Sequence, residues 1–166
     1  GAVLREGTIK YSGRYSLRQR NTAPNAYILE TDDVPEFPKY AGEVATVRAK
    51  LYTTTSDRVR VNLVDGVNTF NSDFHDGSGG WEGNGGEDVI VDAVTLAGNL
   101  SQLRIQLEIT PGGQISAYWG KVWLDVGGKV YEYDLQSPGG TETAFSYISE
   151  VWLESATLDG AFNVRL

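Results

Sequence analysis

The sequence predicts an all-β fold, a two-sheet antiparallel β-sandwich of the jelly-roll kind with a C-terminal extended segment. Three observations carry that expectation. Twenty glycines are spread through the 166 residues, so turns recur along the whole chain. Tyrosine and threonine are frequent, and no long stretch repeats apolar residues at the 3.6-residue period of a helix. Leu103, Ile105, Leu107 and Ile109 alternate with Arg104, Gln106 and Glu108, which is the period of a half-buried strand. A chain of this length suits one domain and can bury a core without staples. Residues 1–126 read as the jelly roll. Residues 127–166 read as an extension, too short for a good core of its own, that docks on the jelly roll or on a neighbouring subunit.

Residues 4–11 (LREGTIKY) suit an edge strand before a Ser12-Gly13 turn. Residues 14–20 (RYSLRQR) set Tyr15, Leu17 and Gln19 against Ser16, Arg18 and Arg20, a strand with one wet, basic face. NTAPN turns the chain, and residues 26–30 form a short apolar strand. TDDVPEFPKYAG holds two prolines and several acids, so it is a loop rather than a central strand. Its Val34, Phe37 and Tyr40 fold back as a lid over one end of the core. Residues 43–52 place Val47, Ala49 and Leu51 on one face and Arg48, Lys50 and Tyr52 on the other. Residues 58–64 repeat the device, with Val59, Val61 and Leu63 inward and Arg58, Arg60 and Asn62 outward. Asp65-Gly66 is a hairpin signal. Residues 68–86 are the most irregular, with six glycines in their last ten positions and Trp81 among them. Strand character resumes at 88–93.

The strand at 102–109, the turn Thr110-Pro111-Gly112-Gly113 and the strand at 114–124 read as a β-hairpin. Its second strand carries Tyr118, Trp119 and Trp123, the densest aromatic cluster in the chain. Period 2 groups Tyr118, Gly120, Val122 and Leu124 as core. It puts Trp119, Lys121 and Trp123 on the opposite face, the two tryptophans about 13 Å apart.

Charge and composition exclude several functions. Twenty-two acids against fourteen bases give a formal charge of −8, without the basic patch that nucleic-acid binding requires. An acidic surface also disfavours anionic membranes, and no run approaches the roughly 18 to 20 apolar residues of a spanning helix. No cysteine is present, so disulfides and thiolate metal sites are excluded. No signal peptide begins the chain. Gly1 stands where an initiator Met would be and no Met occurs, which predicts a processed or excised piece.

Catalytic candidates are sparse. Glycoside hydrolysis needs two carboxylates about 5 to 9.5 Å apart. Glu30 and Asp32 with Glu36 superficially suit it, but the spacing to Glu36 is long and Pro35 breaks the strand. Glu82, Glu87, Asp88 and Glu108 are scattered. The expectation is therefore no enzyme, no cofactor and no metal centre. The loop acids Asp32, Asp33, Asp73 and Asp76 hold an ion or are solvated. His75 alone is not a zinc site, and it reads as a hydrogen-bonded loop residue. Asn99-Leu100-Ser101 matches a glycosylation sequon.

The motifs SGRYSLRQR, AGEVATVRAKLYTTTSDRVRVNLVDG, SDFHDGSGGWE and AYWGKVWL occur in an order that resembles a known family. It is the galactose-binding-like jelly roll of carbohydrate-binding modules, and the likeness covers about residues 4–126. It is nearest to the group related to xylan- and glucan-binding modules of glycanases. The tail, with YEYDL and FSYISEVWLESATLDGAFNVRL, resembles phage virion proteins that carry this jelly roll without an enzyme. The resemblance implies a non-catalytic virion structural module: a capsid decoration, neck or tail component, with glycan contact as an added role. Its partners would be other virion or self subunits, through the C-terminal segment, and polysaccharide. Its location would be the virion or the extracellular space. The alternative is a secreted polysaccharide-binding module of a glycanase. The family's last strand carries an Asp that helps hold a structural calcium. Gly120 stands there in this chain, so no cation is expected at that position.

The expected glycan contacts are Trp119, Trp123 and Trp81, whose rings would stack on sugar C–H faces, with Arg104 and Gln106 bonding hydroxyls. Arg48, Lys50, Arg58 and Arg60 are further polar candidates. In the competing reading the C-terminal segment covers Trp119 and Trp123 with Phe145, Tyr147, Trp152 and Leu153. Trp81 is either a rim platform or a plug in the open end of the core.

Overall fold

The computed structural model describes residues 2–12, 15–21, 25–82, 86–136 and 162–165. Its strands are β1 (Ala2–Glu6), β2 (Ser16–Asn21), β3 (Tyr27–Thr31), β4 (Val44–Tyr52), β5 (Val59–Val64), β6 (Thr69–Asn71), β7 (Val89–Thr95), β8 (Arg104–Ile109), β9 (Ile115–Val126), β10 (Lys129–Asp134) and β11 (Phe162–Arg165). A 3-10 helix spans Phe37–Tyr40, within the proline-containing loop. One sheet has six strands in the order β1-β2-β9-β4-β7, with β10 also paired to β9. The other has five in the order β11-β3-β8-β5-β6. Neighbouring strands are antiparallel, and the two sheets form a β-sandwich. The chain changes sheet between β2 and β3, β3 and β4, β4 and β5, β6 and β7, β7 and β8, and β8 and β9, the alternation of a jelly roll.

That alternation corrects one expectation. β8 and β9 do not form a hairpin: β8 pairs with β3 and β5, whereas β9 pairs with β2, β4 and β10. The turn at 110–114 carries the chain across the core instead. β8 and β9 each bury an apolar face, and facing strands in opposite sheets satisfy that pattern as well as paired strands do. The Asp65-Gly66 signal does join a paired hairpin, β5 with β6. Gly127 and Gly128 connect β9 to β10 within one sheet.

The core is as the alternation requires. Val47, Leu51, Val59, Val61, Leu63, Leu103, Ile105, Leu107, Val122 and Leu124 are all 0 % exposed. Val34 and Tyr40 of the proline-containing loop are buried and Phe37 packs against the same cluster, closing one end. Ile105, near the start of β8, is paired with Leu63 of β5 and donates its N–H to Thr31 Oγ1 of β3 at 2.9 Å. Ile105→Ala is expected to cost about 2 to 4 kcal/mol in denaturant unfolding, because the cavity it leaves cannot fully collapse. A cost below about 0.5 kcal/mol would be that of a surface position and would contradict this register.

A second correction concerns β9. Ala49 of β4 pairs with Val122 and Leu51 pairs with Trp119, so Gly120 and Lys121 together oppose the single residue Lys50. This is a β-bulge, and it shifts the inward phase by one residue. Ile115, Ala117 and Trp119 face the core before it, and Val122, Leu124 and Val126 face the core after it. Trp119 is therefore 0 % exposed inside the sandwich, while Trp123 lies half-buried on the outer face. The two rings do not form a platform. Trp119 Nε1 donates to Gln19 Oε1 at 2.9 Å, and Gln19 Nε2 donates to the carbonyls of Tyr27 and Leu107 at 3.0 and 3.1 Å. A polar seam thus joins the two sheets through a fully buried glutamine.

Candidate functional site

The bulge decides which aromatic residues reach the surface. Before it, the outward side chains of neighbouring strands line up as Arg18 on β2, Tyr118 on β9 and Tyr52 on β4, which are directly registered partners. Tyr52 and Tyr118 meet edge to face with centroids 5.7 Å apart, and the Arg18 guanidinium lies 5.6 Å from the Tyr118 ring. Trp81 leans on Tyr52 at 5.6 Å and on Tyr11 at 5.9 Å. Four rings thus run as one strip across the outer face of the six-stranded sheet. Tyr11 is 37 % exposed, and the other three are half-buried.

Local sequence explains each placement. Tyr11 lies over Gly120, where an added Cβ would come within 2.8 Å of the Tyr11 Cβ. Only a residue without a Cβ fits beneath Tyr11 at this position. Trp81 is held by the loop that crosses from β6 to β7. Gly77 has φ +76°, and an added Cβ would sit 2.4 Å from the Ser56 nitrogen, so glycine is required. The Gly79 N–H donates to the Thr53 carbonyl at 3.0 Å. His75 is fully buried within this loop, with both ring nitrogens bonded to the backbone of Gly77 and Gly80. This agrees with its reading as a hydrogen-bonded loop residue.

Beside Tyr52 and Tyr118 a groove of about 400 Å³ is lined by Ile9, Thr54, Thr55, Gln114, Ile115 and Ser116. Its polar groups are hydroxyls and one amide. On the other side of Trp81, Lys50 is 8 % exposed and pairs with Glu82 at 3.0 Å and Asp88 at 2.6 Å. Burial alone would lower the Lys50 pKa, but the Asp88 and Glu82 carboxylates outweigh it and hold the ammonium above its usual range. The strip is thus bordered at one end by an ion cluster of one ammonium and two carboxylates. At the other end Arg18 donates to Ser116 Oγ at 3.1 Å and has Glu6 at 3.9 Å.

The expected site residues do not converge. Trp119 is in the core. Trp123 is on the outer face of the six-stranded sheet, where its indole donates to Glu132 at 3.1 Å. Trp81 is in the strip, neither plugging the core nor isolated at a rim. Arg104 and Gln106 belong to the outer face of the other sheet. Arg104 is tied to Asp33 at 2.9 Å and Glu30 at 3.1 Å, and Gln106 donates to Glu30 at 2.7 Å. Arg60 pairs there with Glu108 at 2.7 Å, and Arg58 bonds Thr110 at the crossover. Arg48 and Lys50 lie on the six-stranded sheet. The proposed C-terminal cover of Phe145, Tyr147, Trp152 and Leu153 lies outside the described residues. Tyr11, Tyr52 and Tyr118 were not among the expected contacts. The signal that marks them is the isolated Gly120 inside a strand, which announces a bulge. The chain matches no family model, and neither a curated protein nor a solved structure matches it.

Proposed function

We propose that this β-sandwich is a non-catalytic module that contacts glycans through the Tyr11, Trp81, Tyr52 and Tyr118 strip. The strip itself is the observation that carries the reading. Sugar rings present apolar C–H faces that stack on aromatic rings and hydroxyls that need short polar side chains beside them. Tyr52 and Tyr118 offer the first, and Thr54, Thr55, Gln114 and Ser116 offer the second within one groove. Hydroxyls and an amide line that groove without a carboxylate pair, which suits binding rather than hydrolysis.

Affinity gels containing soluble xylan or mixed-linkage glucan test this directly. The intact chain is expected to be retarded by at least one of them. Tyr118→Ala and Tyr52→Ala are expected to weaken retention at least about tenfold, roughly 1.4 kcal/mol. Arg104→Ala, on the opposite sheet, is expected to leave retention unchanged. Absence of retention on both gels and on a glycan array, or full retention by Tyr118→Ala, would refute the reading.

A second reading, a virion structural subunit, draws on β11. Phe162–Arg165 pairs with β3 at the edge of the five-stranded sheet. The same strand from a neighbouring copy satisfies the same edge by exchange. Sedimentation of the intact chain tests it: concentration-dependent assembly supports this reading, and a monomer at every concentration removes it.

A further inference from the structure

The loop that seats Trp81 is built around one histidine whose hydrogen bonds permit a single protonation state. His75 is 0 % exposed. Its Nδ1 accepts the Gly77 N–H at 2.9 Å, and a backbone N–H can only donate, so Nδ1 carries no proton. Nε2 then holds the proton and donates it to the Gly80 carbonyl at 2.9 Å. The His75 backbone is fixed as well, its N–H to Val59 at 2.9 Å and its carbonyl to Asp57 N–H at 3.2 Å. The ring is thus anchored, and Gly77 and Gly80 hang from it just before Trp81.

Adding a proton at Nδ1 sets N–H against N–H and breaks the bond to Gly77. A second acceptor is at hand. Asp76 Oδ1 lies 3.5 Å from Nδ1, on a side chain that is 41 % exposed. It now accepts the Ser78 N–H at 3.0 Å. The other charged groups on the segments around the ring are Asp57, Arg58, Arg60, Asp73 and Glu82. Arg58 is tied to Thr110, Arg60 to Glu108, and Glu82 to Lys50. Asp76 is the carboxylate in reach.

We propose that residues 75–81 form a proton-controlled latch on Trp81. Neutral His75 holds the loop closed by accepting from Gly77. Protonation from water releases Gly77 and turns the new Nδ1–H to Asp76. Opening loosens the packing of Gly77 on Ser56 and the Gly79 bond to Thr53, and Trp81 leaves Tyr52 and Tyr11. The consequence for ligand binding, weaker glycan contact in acid, rests on the strip being the glycan site. The latch itself does not.

The test follows tryptophan emission and the imidazole nitrogen resonances of the intact chain from about pH 8 to about pH 5, the range in which imidazoles titrate. The expected result is a reversible emission change that tracks protonation of His75, with an unchanged far-UV spectrum. It should vanish in Trp81→Phe. Asp76→Asn keeps an acceptor for Ser78 but removes the charge beside Nδ1, and it should move the midpoint of the emission change to lower pH. The latch is overturned by flat emission through the titration of His75, by a change that persists in Trp81→Phe, by an unmoved midpoint in Asp76→Asn, or by loss of the far-UV signal in step. Soluble glucan retained at about pH 8 and released along the same curve extends the latch to binding. Switching without retention of any glycan at either pH leaves the latch standing and removes only the glycan reading.

Discussion

Trp119→Ala is expected to lower the unfolding free energy by about 3 to 5 kcal/mol, the largest effect of any single side chain in this sandwich. The indole is fully buried between the sheets, so its removal leaves a cavity lined by residues that strand pairing holds in place. It also orphans Gln19 Oε1, which accepts from the indole at 2.9 Å. The two costs can be separated. Trp119→Phe keeps most of the ring volume and loses the N–H, and an unpaired buried acceptor costs about 1 to 3 kcal/mol. Gln19→Leu abandons the indole N–H and the two carbonyls of the opposite sheet. In the double variant both partners of the indole bond are gone, so the losses should be less than additive. Chemical denaturation with fluorescence measures the wild type and all four variants. If Trp119→Ala costs less than about 0.5 kcal/mol, the ring belongs to the surface and the phase assigned to β9 before the bulge is wrong.

The contrast between Trp119 and Ile105 shows what the sequence makes legible. Where alternation is unbroken, as in β4, β5 and β8, period 2 is enough to identify the inward residues, because a pleated strand with one buried face has no other solution. It does not say which sheet a strand joins. β8 and β9 look like a hairpin because a turn separates two alternating runs, yet the same runs face each other across the core. Nor does it survive an inserted residue. Gly120 and Lys121 shift the phase of β9, so extrapolation backward from Val122 puts Trp119 outside and Tyr118 inside, both reversed. The glycine was a visible warning. Its cause was not visible, because Tyr11 reaches Gly120 from more than a hundred positions away in the sequence. The site inherits this limit. Trp81 could be singled out from its glycine-rich loop, but its neighbours Tyr11, Tyr52 and Tyr118 come from three separate segments that only the folded sheet brings together. Arg104 and Gln106 could be recognised as outward-facing polar residues, and their sheet could not.

Asp65 carries the second large effect, and it also sets an acid limit on stability. The residue is fully buried at the turn after β5, in a position that composition marks only as a hairpin signal. Its Oδ1 accepts the N–H groups of Val67 and Asn68 at 2.9 and 2.6 Å. Its Oδ2 accepts Asn68 Nδ2 at 3.2 Å and the Ala97 N–H at 2.9 Å. The carbonyl of Asp65 accepts from Ser101 at 3.0 Å, so this one residue fastens the β5–β6 turn to the connection between β7 and β8. Burial by itself would raise the carboxyl pKa, but the N–H donors of Ala97, Asn68 and Val67, with the Asn68 side chain, outweigh it and hold the group below the ordinary Asp value. A depressed carboxylate contributes stability that is fully present above the unfolded pKa of about 3.9 and is lost as pH falls through the folded value. Asp65→Ala should therefore cost on the order of 3 kcal/mol at neutral pH, since it strands several donors at once. Asp65→Asn should cost less at neutral pH and should also flatten the decline in stability below about pH 4. Urea titrations of the three proteins from neutral pH into that acid range measure both effects. Parallel acid declines in wild type and Asp65→Asn would show that other carboxylates, such as Asp33 beside Arg104, set the acid limit instead.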